Sequence, residues 1–195
     1  GIAPSLACIA AASTLRAKSG GHKMAETPEK KIDPIRETDD AARALARQLI
    51  DGARFGALGV RDPETGAPMV TRVAVATTPE GVPVTLVSDL SHHTRALKVD
   101  PVGSLLVGEP GRKGDPLTHP RITLQCRARF VRHGEAGHAA LREHYLRQQP
   151  KAQLYIDFAD FSFALLDVTE AHLNGGFGKA YRLGPADLER PAAGG

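Results

Sequence analysis

From Phe55 onward the chain alternates apolar and polar residues in short runs, and tight turns separate those runs. Met69 to Thr77 puts Val70, Arg72 and Ala74 on one side and Val73 and Val75 on the other. That two-residue period belongs to a half-buried strand. Phe55 to Val60 precedes it and Pro83 to Val87 follows it. Asp62-Pro63-Glu64-Thr65-Gly66 and Thr78-Pro79-Glu80-Gly81 are turn sequences between them. Connections this short pair strands antiparallel, so the chain is constrained to a small barrel or a curved sheet that nearly closes.

The rest of the pattern fits that frame. Thr38-Asp39-Asp40 caps a helix that presents Ala42, Leu45, Ala46 and Leu49 at helical spacing and stops at Gly52. Gly103 to Gly108 and Arg121 to Val131 read as strands, with a polar loop from Glu109 to His119 between them. A helix from about Glu135 to Gln148 and a helical turn from Ala152 to Phe158 follow. Phe161 to Val168 and Ala171 to Asn174 read as a hairpin before Gly175-Gly176-Phe177-Gly178. The glycines of that last run suit close backbone packing at a barrel corner or a subunit contact. The expected fold class is mainly β with flanking helices (α+β): a split β-barrel with helices over its openings.

At 195 residues the chain suits one domain. Residues 1–37 read as a flexible N-terminal extension, 38–183 as the barrel domain and 184–195 as a C-terminal tail. The first residues are Ala-rich, and Arg16, Lys18 and Lys23 follow the apolar run, whereas a secretory signal has its charges first. The favoured reading is an upstream extension of a chain starting at Met24, with a transit-like peptide as the alternative. Cys8 and Cys126 lie far apart in unlike surroundings, which argues against a disulfide framework and for a reduced, cytoplasmic setting. A net charge of +3, scattered along the chain, excludes a duplex-binding surface. No run approaches the roughly 20 apolar residues that span a bilayer.

The candidate chemistry concentrates between Val84 and Pro101. A buried strand ends in Ser88, then Ser91, His92, His93, Thr94 and Arg95 open a helix. A helix start offers unpaired N–H groups and a positive dipole end, so this cluster suits a phosphate. A Ser-capped surface helix with incidental histidines is the competing reading. Two adjacent histidines with no third ligand at metal spacing make a poor zinc site. His133, His138 and His144 do not share a helix face and read as solvated. No P-loop, serine-hydrolase elbow or CxxC is present, and Gly175 to Gly178 does not open a helix after a strand.

Four separated runs carry a resemblance: Val87 to Leu97, Asp115 to Leu124, Asp157 to Phe161, and Gly175 to Ala180. Together they resemble the pyridoxamine 5′-phosphate oxidase-like FMN-binding split-barrel superfamily, and within it the haem-utilisation (HugZ-like) branch, over about Asp39 to Leu183. The resemblance implies a homodimer with FMN in clefts between subunits, held by Arg72, Val73, Val87, Ser88, Ser91, His92, His93, Arg95 and Arg121. The family's Ser-Arg-Lys phosphate grip corresponds here to Ser91-His92-His93, so two fixed cations become imidazoles. The C-terminal Trp and Arg of true pyridoxamine phosphate oxidases have no counterpart, and the chain has no Trp. The His-bearing tail of haem-degrading members is also missing, since the chain ends Arg190-Pro191-Ala192-Ala193-Gly194-Gly195. The implied function is a flavin-dependent oxidoreductase of unknown substrate. The alternatives are a haem-binding protein on the same fold and a cofactor-free regulatory binding protein.

Overall fold

The computed structural model describes residues 35–190; the expectations for residues 1–34 and 191–195 lie outside them. Nine strands and three helices run in the order β1 (Ile35–Arg36), α1 (Asp40–Gly52), β2 (Phe55–Arg61), β3 (Pro68–Ala74), β4 (Ala76–Thr77), β5 (Pro83–Ser88), α2 (His92–Val99), β6 (Val102–Val107), β7 (Arg121–Val131), α3 (His138–Gln148), β8 (Phe161–Asn174) and β9 (Ala180–Leu183). The hydrogen-bonded path is β1-β9-β8-β7-β6-β2-β3, with β5 on the first half of β8 and β4 on β5. β3 and β4 form one extended segment bent at Val75, so the sheet curls round on itself while β3 and β5 stay unpaired with each other. The mainly β, split-barrel expectation is met.

Asp39 starts α1 as expected, its carboxylate accepting from the Ala42 N–H at 2.7 Å. Ala42, Ala46 and Ile50 turn inward onto Leu58, Leu105, Ile122, Leu124, Leu166 and Leu173. A second apolar cluster lies under α3, where Tyr145 and Ile156 pack with Val84, Phe163 and Leu165. Fully buried side chains of this size contribute roughly 1.5–3 kcal/mol each, and β8 supplies both clusters from its two faces.

β8 corrects one expectation. Residues 161–174 form one continuous strand paired along β7, not a hairpin. The register shifts where Gln125 faces Glu170 and Cys126 faces Val168, leaving Thr169 as an extra residue. Its hydroxyl donates to the Gln125 carbonyl at 3.2 Å. The polar Thr169-Glu170 pair is therefore a β-bulge, which bends the strand without reversing it. The turn falls later, at Gly175 to Gly178, where Gly176 and Gly178 adopt positive φ.

Order also extends past both expected boundaries. Ile35 and Arg36 pair in parallel with β9. Pro185–Leu188 forms a 3-10 turn that buries Leu188 in the barrel core. Arg190 then donates to the Thr78 and Pro79 carbonyls at 3.2 and 2.6 Å and to Asp51 at 2.8 Å. Residues 184–190 are thus fastened to α1 and the β4–β5 turn. Among the described residues no helix is long and apolar enough to cross a membrane. Cys126 is buried, and burial pushes its thiol up to about 12.

Candidate functional site

The α2 cradle forms where β5 leaves the barrel. Ser88 donates its hydroxyl to Asp160 Oδ2 at 2.5 Å and accepts the Leu90 N–H at 3.1 Å, which turns the chain sharply into α2. Val87 is buried beside Ser162, so its side chain faces the interior. Ser91 occupies the N-cap position, yet its hydroxyl makes no capping bond.

The next residues are already partnered. His92 Nε2 sits 2.6 Å from Oδ2 of Asp62, in the turn between β2 and β3. Its Nδ1 lies 3.4 Å from Nη2 of Arg95, whose Nη1 donates to the Leu90 carbonyl. This pattern matches an imidazole carrying its proton on Nε2, accepting from Arg95 and donating to Asp62. Asp62 Oδ1 accepts the Glu64 and Thr65 N–H groups at 2.9 and 2.8 Å. The Thr65 N–H, then His92, hold the Asp62 carboxyl down at about 2. His93 Nδ1 faces Thr71 Oγ1 at 3.3 Å, and burial, reinforced by His92, lowers its affinity for a proton.

Arg72 does not join this cluster. Thr71 points to His93, and the strand alternation sends Arg72 to the opposite face, 5.3 Å above the Phe55 ring. Val73 points inward again and is buried. Along the outer face of the sheet, Arg72, Ala57, Leu106, Thr123, His172 and Arg182 follow one another across β3, β2, β6, β7, β8 and β9. Val70 (68% exposed), Leu106 (41%), Val102 and Phe55 give this face an open apolar centre. A depression of about 480 Å³ opens beside Val70, Val102 and Ser104. Among the described residues Arg72 has no acidic partner. Arg182 reaches Glu170 only at 3.7 Å.

Arg121, at the start of β7, lies on the same outer side and donates to the Leu117 and His119 carbonyls at 3.0 and 3.4 Å. The structure therefore divides the expected site. Ser88, Ser91, His92, His93 and Arg95 gather at α2, Arg72 and Arg121 face outward, and Val73 and Val87 are core. Sequence reasoning did not single out Asp62 or His172. His172 Nε2 bonds Glu170 Oε1 at 2.8 Å, with the Gln125 amide 3.5 Å from the same nitrogen. The expectation that His138 is solvated is corrected. It is 7% exposed and packed between His133 and Phe163, with ring centroids at 4.4 and 5.3 Å.

Residues 37–188 match the family described as CREG, beta-barrel. The chain belongs to that family. Its fold is that of the pyridoxamine phosphate oxidase-like split barrels. A Clostridium acetobutylicum protein related to general stress protein 26, of the pyridoxinephosphate oxidase family, superposes with a TM-score of 0.59 at 12% identity, covering 77% of this chain and 99% of that one. This CREG-family chain is also 32% identical over 186 residues to the chloroplastic non-canonical heme oxygenase HOZ of Arabidopsis thaliana, covering 93% of this chain and 56% of that protein. A heme binding protein from Mycobacterium smegmatis is 28% identical with a TM-score of 0.68, covering 79% of this chain and 61% of that one. The chain spans little more than half the length of the curated relative it matches.

The two groups that the fold implies fare differently against these residues. The phosphate of FMN needs fixed positive charge at α2. The cradle offers one guanidinium, one carboxylate and two imidazoles, with the carboxylate bonded to the histidine nearest the helix start. These residues do not fit a phosphate dianion. A haem presents a broad apolar macrocycle with two carboxylates on one edge, and the outer face offers an apolar centre with Arg72 at one end of the row and Arg182 at the other. Those residues fit.

Proposed function

We propose that this CREG-family barrel binds haem on the outer face of its sheet, as a homodimer in which that face is shared between two copies. The observation that carries the reading is the row Arg72-Ala57-Leu106-Thr123-His172-Arg182. It sets Arg72, which has no acidic partner among the described residues, and Arg182, in a long ion pair with Glu170, at the two ends of a row whose centre is apolar. Five strand spacings, about 24 Å, part Arg72 from Arg182 within one chain, so Arg72 of one copy and Arg182 of the other would hold the propionates in the shared face through charge-assisted bonds. Val70 and Leu106 would cover the macrocycle and exclude water. His172 would supply the iron ligand through Nδ1, because Nε2 is bonded to Glu170. A carboxylate on the second nitrogen orients a ligating imidazole and strengthens it as a donor.

Bound haem supplies an iron centre and its oxidation–reduction chemistry, while the protein supplies the apolar slot, the guanidiniums and the oriented imidazole. The names of the Arabidopsis and Mycobacterium relatives support a haem ligand. The exposed Val70, Leu106, Val102 and Phe55 support the homodimer, since a contiguous apolar face of this kind marks an interaction surface.

The test is a haemin titration of purified protein followed in the Soret region, alongside sedimentation at low micromolar concentration. The expected result is saturable binding at one haem per subunit and a dimer. His172→Ala should displace the Soret maximum without unfolding the protein. Protein that purifies with a flavin band and ignores haemin would overturn this reading in favour of an FMN-dependent oxidoreductase.

A further inference from the structure

The α2 cradle differs from a working phosphate site in one residue that lies outside the helix. Ser91 leaves the first turn of α2 uncapped by its side chain, and Arg95 and two imidazoles surround it. A helix start of this kind attracts anions. The residue that opposes this is Asp62, thirty positions earlier, in the β2–β3 turn. Its two oxygens are used in different ways. Oδ1 accepts from Glu64 and Thr65 and shapes the turn, while Oδ2 reaches His92 at 2.6 Å.

We propose that Asp62 acts as a built-in anion that closes this cradle to phosphate, and so determines which flavin or phosphate-bearing ligand the protein rejects. Two consequences follow from the geometry. The Asp62 charge cancels that of Arg95, reached through His92, so an incoming dianion finds no net positive charge. The carboxylate also sits against the imidazole that a phosphate would have to engage, so the dianion meets a like charge at short range. The Asp62 carboxyl, held down at about 2, stays ionised through the physiological range. The inference does not depend on what occupies the outer face, since Asp62 and Arg72 lie on different sides of β3.

Asn keeps the shape of the turn and accepts the same backbone bonds through its carbonyl, while its amide can donate to His92 Nε2 only when the imidazole moves its proton to Nδ1 and releases Arg95. The experiment measures FMN, riboflavin and inorganic phosphate binding to native protein, Asp62→Asn, His92→Arg and the double variant by calorimetry. Native protein is expected to bind FMN no better than riboflavin. Asp62→Asn should gain about tenfold for FMN and for phosphate with riboflavin unmoved, the order expected for removing one carboxylate beside a dianion at a protein surface. His92→Arg alone should gain less than the double variant, because Asp62 remains to neutralise the new cation.

Three outcomes overturn the proposal. One is native protein that prefers FMN over riboflavin by about a hundredfold. Another is Asp62→Asn that folds, judged by an unchanged melting profile, and gains nothing for phosphate. The third is a full gain from His92→Arg with Asp62 in place. Haemin titration of Asp62→Asn separates this proposal from the haem reading, since its haem affinity should match that of native protein whichever way the phosphate result falls.

Discussion

The α2 cradle and the outer sheet face have similar compositions: each has arginine, histidine, a carboxylate and partly exposed surface. They differ in how the charges are matched. In the cradle, Arg95, His92 and Asp62 form a closed chain of contacts, and His93 is bonded to Thr71. On the face, Arg72 lies over an aromatic ring and has no acidic partner among the described residues, and Arg182 reaches Glu170 at 3.7 Å. A cation already matched by a neighbouring carboxylate has little left to offer a ligand, whereas an unmatched one beside apolar surface does. The pairing of the residues, more than their type, tells a binding surface from a structural one.

The largest effect should come from removing the unmatched charge. Reversing both arginines, Arg72→Glu with Arg182→Glu, should weaken haemin binding about 100-fold, on the scale of two lost charge-assisted contacts. Arg95→Gln should leave that affinity within a factor of about two, since its contacts lie within the cradle. Soret titration reads both, and equal losses would erase the distinction between the regions.

A second test acts on the apolar part of the face. Leu106→Asp places a carboxylate at an exposed strand position, so the fold should survive while self-association weakens by at least about tenfold. Sedimentation across a concentration series measures it, and an unaltered dimer would put the interface elsewhere.

A third concerns acid stability, to which the cradle contributes. Burial lowers the proton affinity of His93, and of His138 at the start of α3. Below about pH 6.5 the unfolded chain therefore binds protons that the folded chain refuses. Stability is full above that pH and is lost as pH falls toward the folded values. Melting temperature should drop between pH 7 and 5, and His93→Gln should flatten part of the slope. A slope unchanged in that variant would remove His93 from the account.

The smallest effect lies in the barrel interior. Thr85 is fully buried on β5 and its hydroxyl has no partner among the described residues. Thr85→Val should stabilise the protein by about 1 kcal/mol, by sparing the desolvation of that hydroxyl. Chemical denaturation measures it, and a loss of stability would point to a bound water.

Much of the barrel was legible because its strands have one wet and one dry side. The expected run Arg121 to Val131 coincides with β7, and the grouping of Val70 and Arg72 on one side of their strand, opposite Val73, was read from alternation alone. Two features escaped. The bulge at Thr169 breaks the alternation as a turn does, and only pairing with β7 tells them apart. The Asp62–His92 contact joins residues of different elements, and Asp62 carries every mark of an ordinary turn residue. The resemblance placed Arg72 with the α2 residues, although alternation already sent it and Thr71 to opposite faces. His172 was visible in principle: Glu170, His172 and Asn174 share one side of β8.

β8 has a further consequence for how this protein is made. It pairs with β5 on one edge, with β7 along its length and with β9 at its end. Apart from the two-residue β4, β5 has no other partner strand. A ribosome delivers β5 and the α2 turn long before β8 emerges, so the nascent chain must carry an unpaired apolar edge while residues 89–160 are made. Exposed edges of this kind invite pairing with other chains. The emergence of β8 is therefore the step that commits the polypeptide to the barrel. Rare codons, pauses or truncations ahead of residue 161 should raise aggregation far more than the same events placed after residue 174.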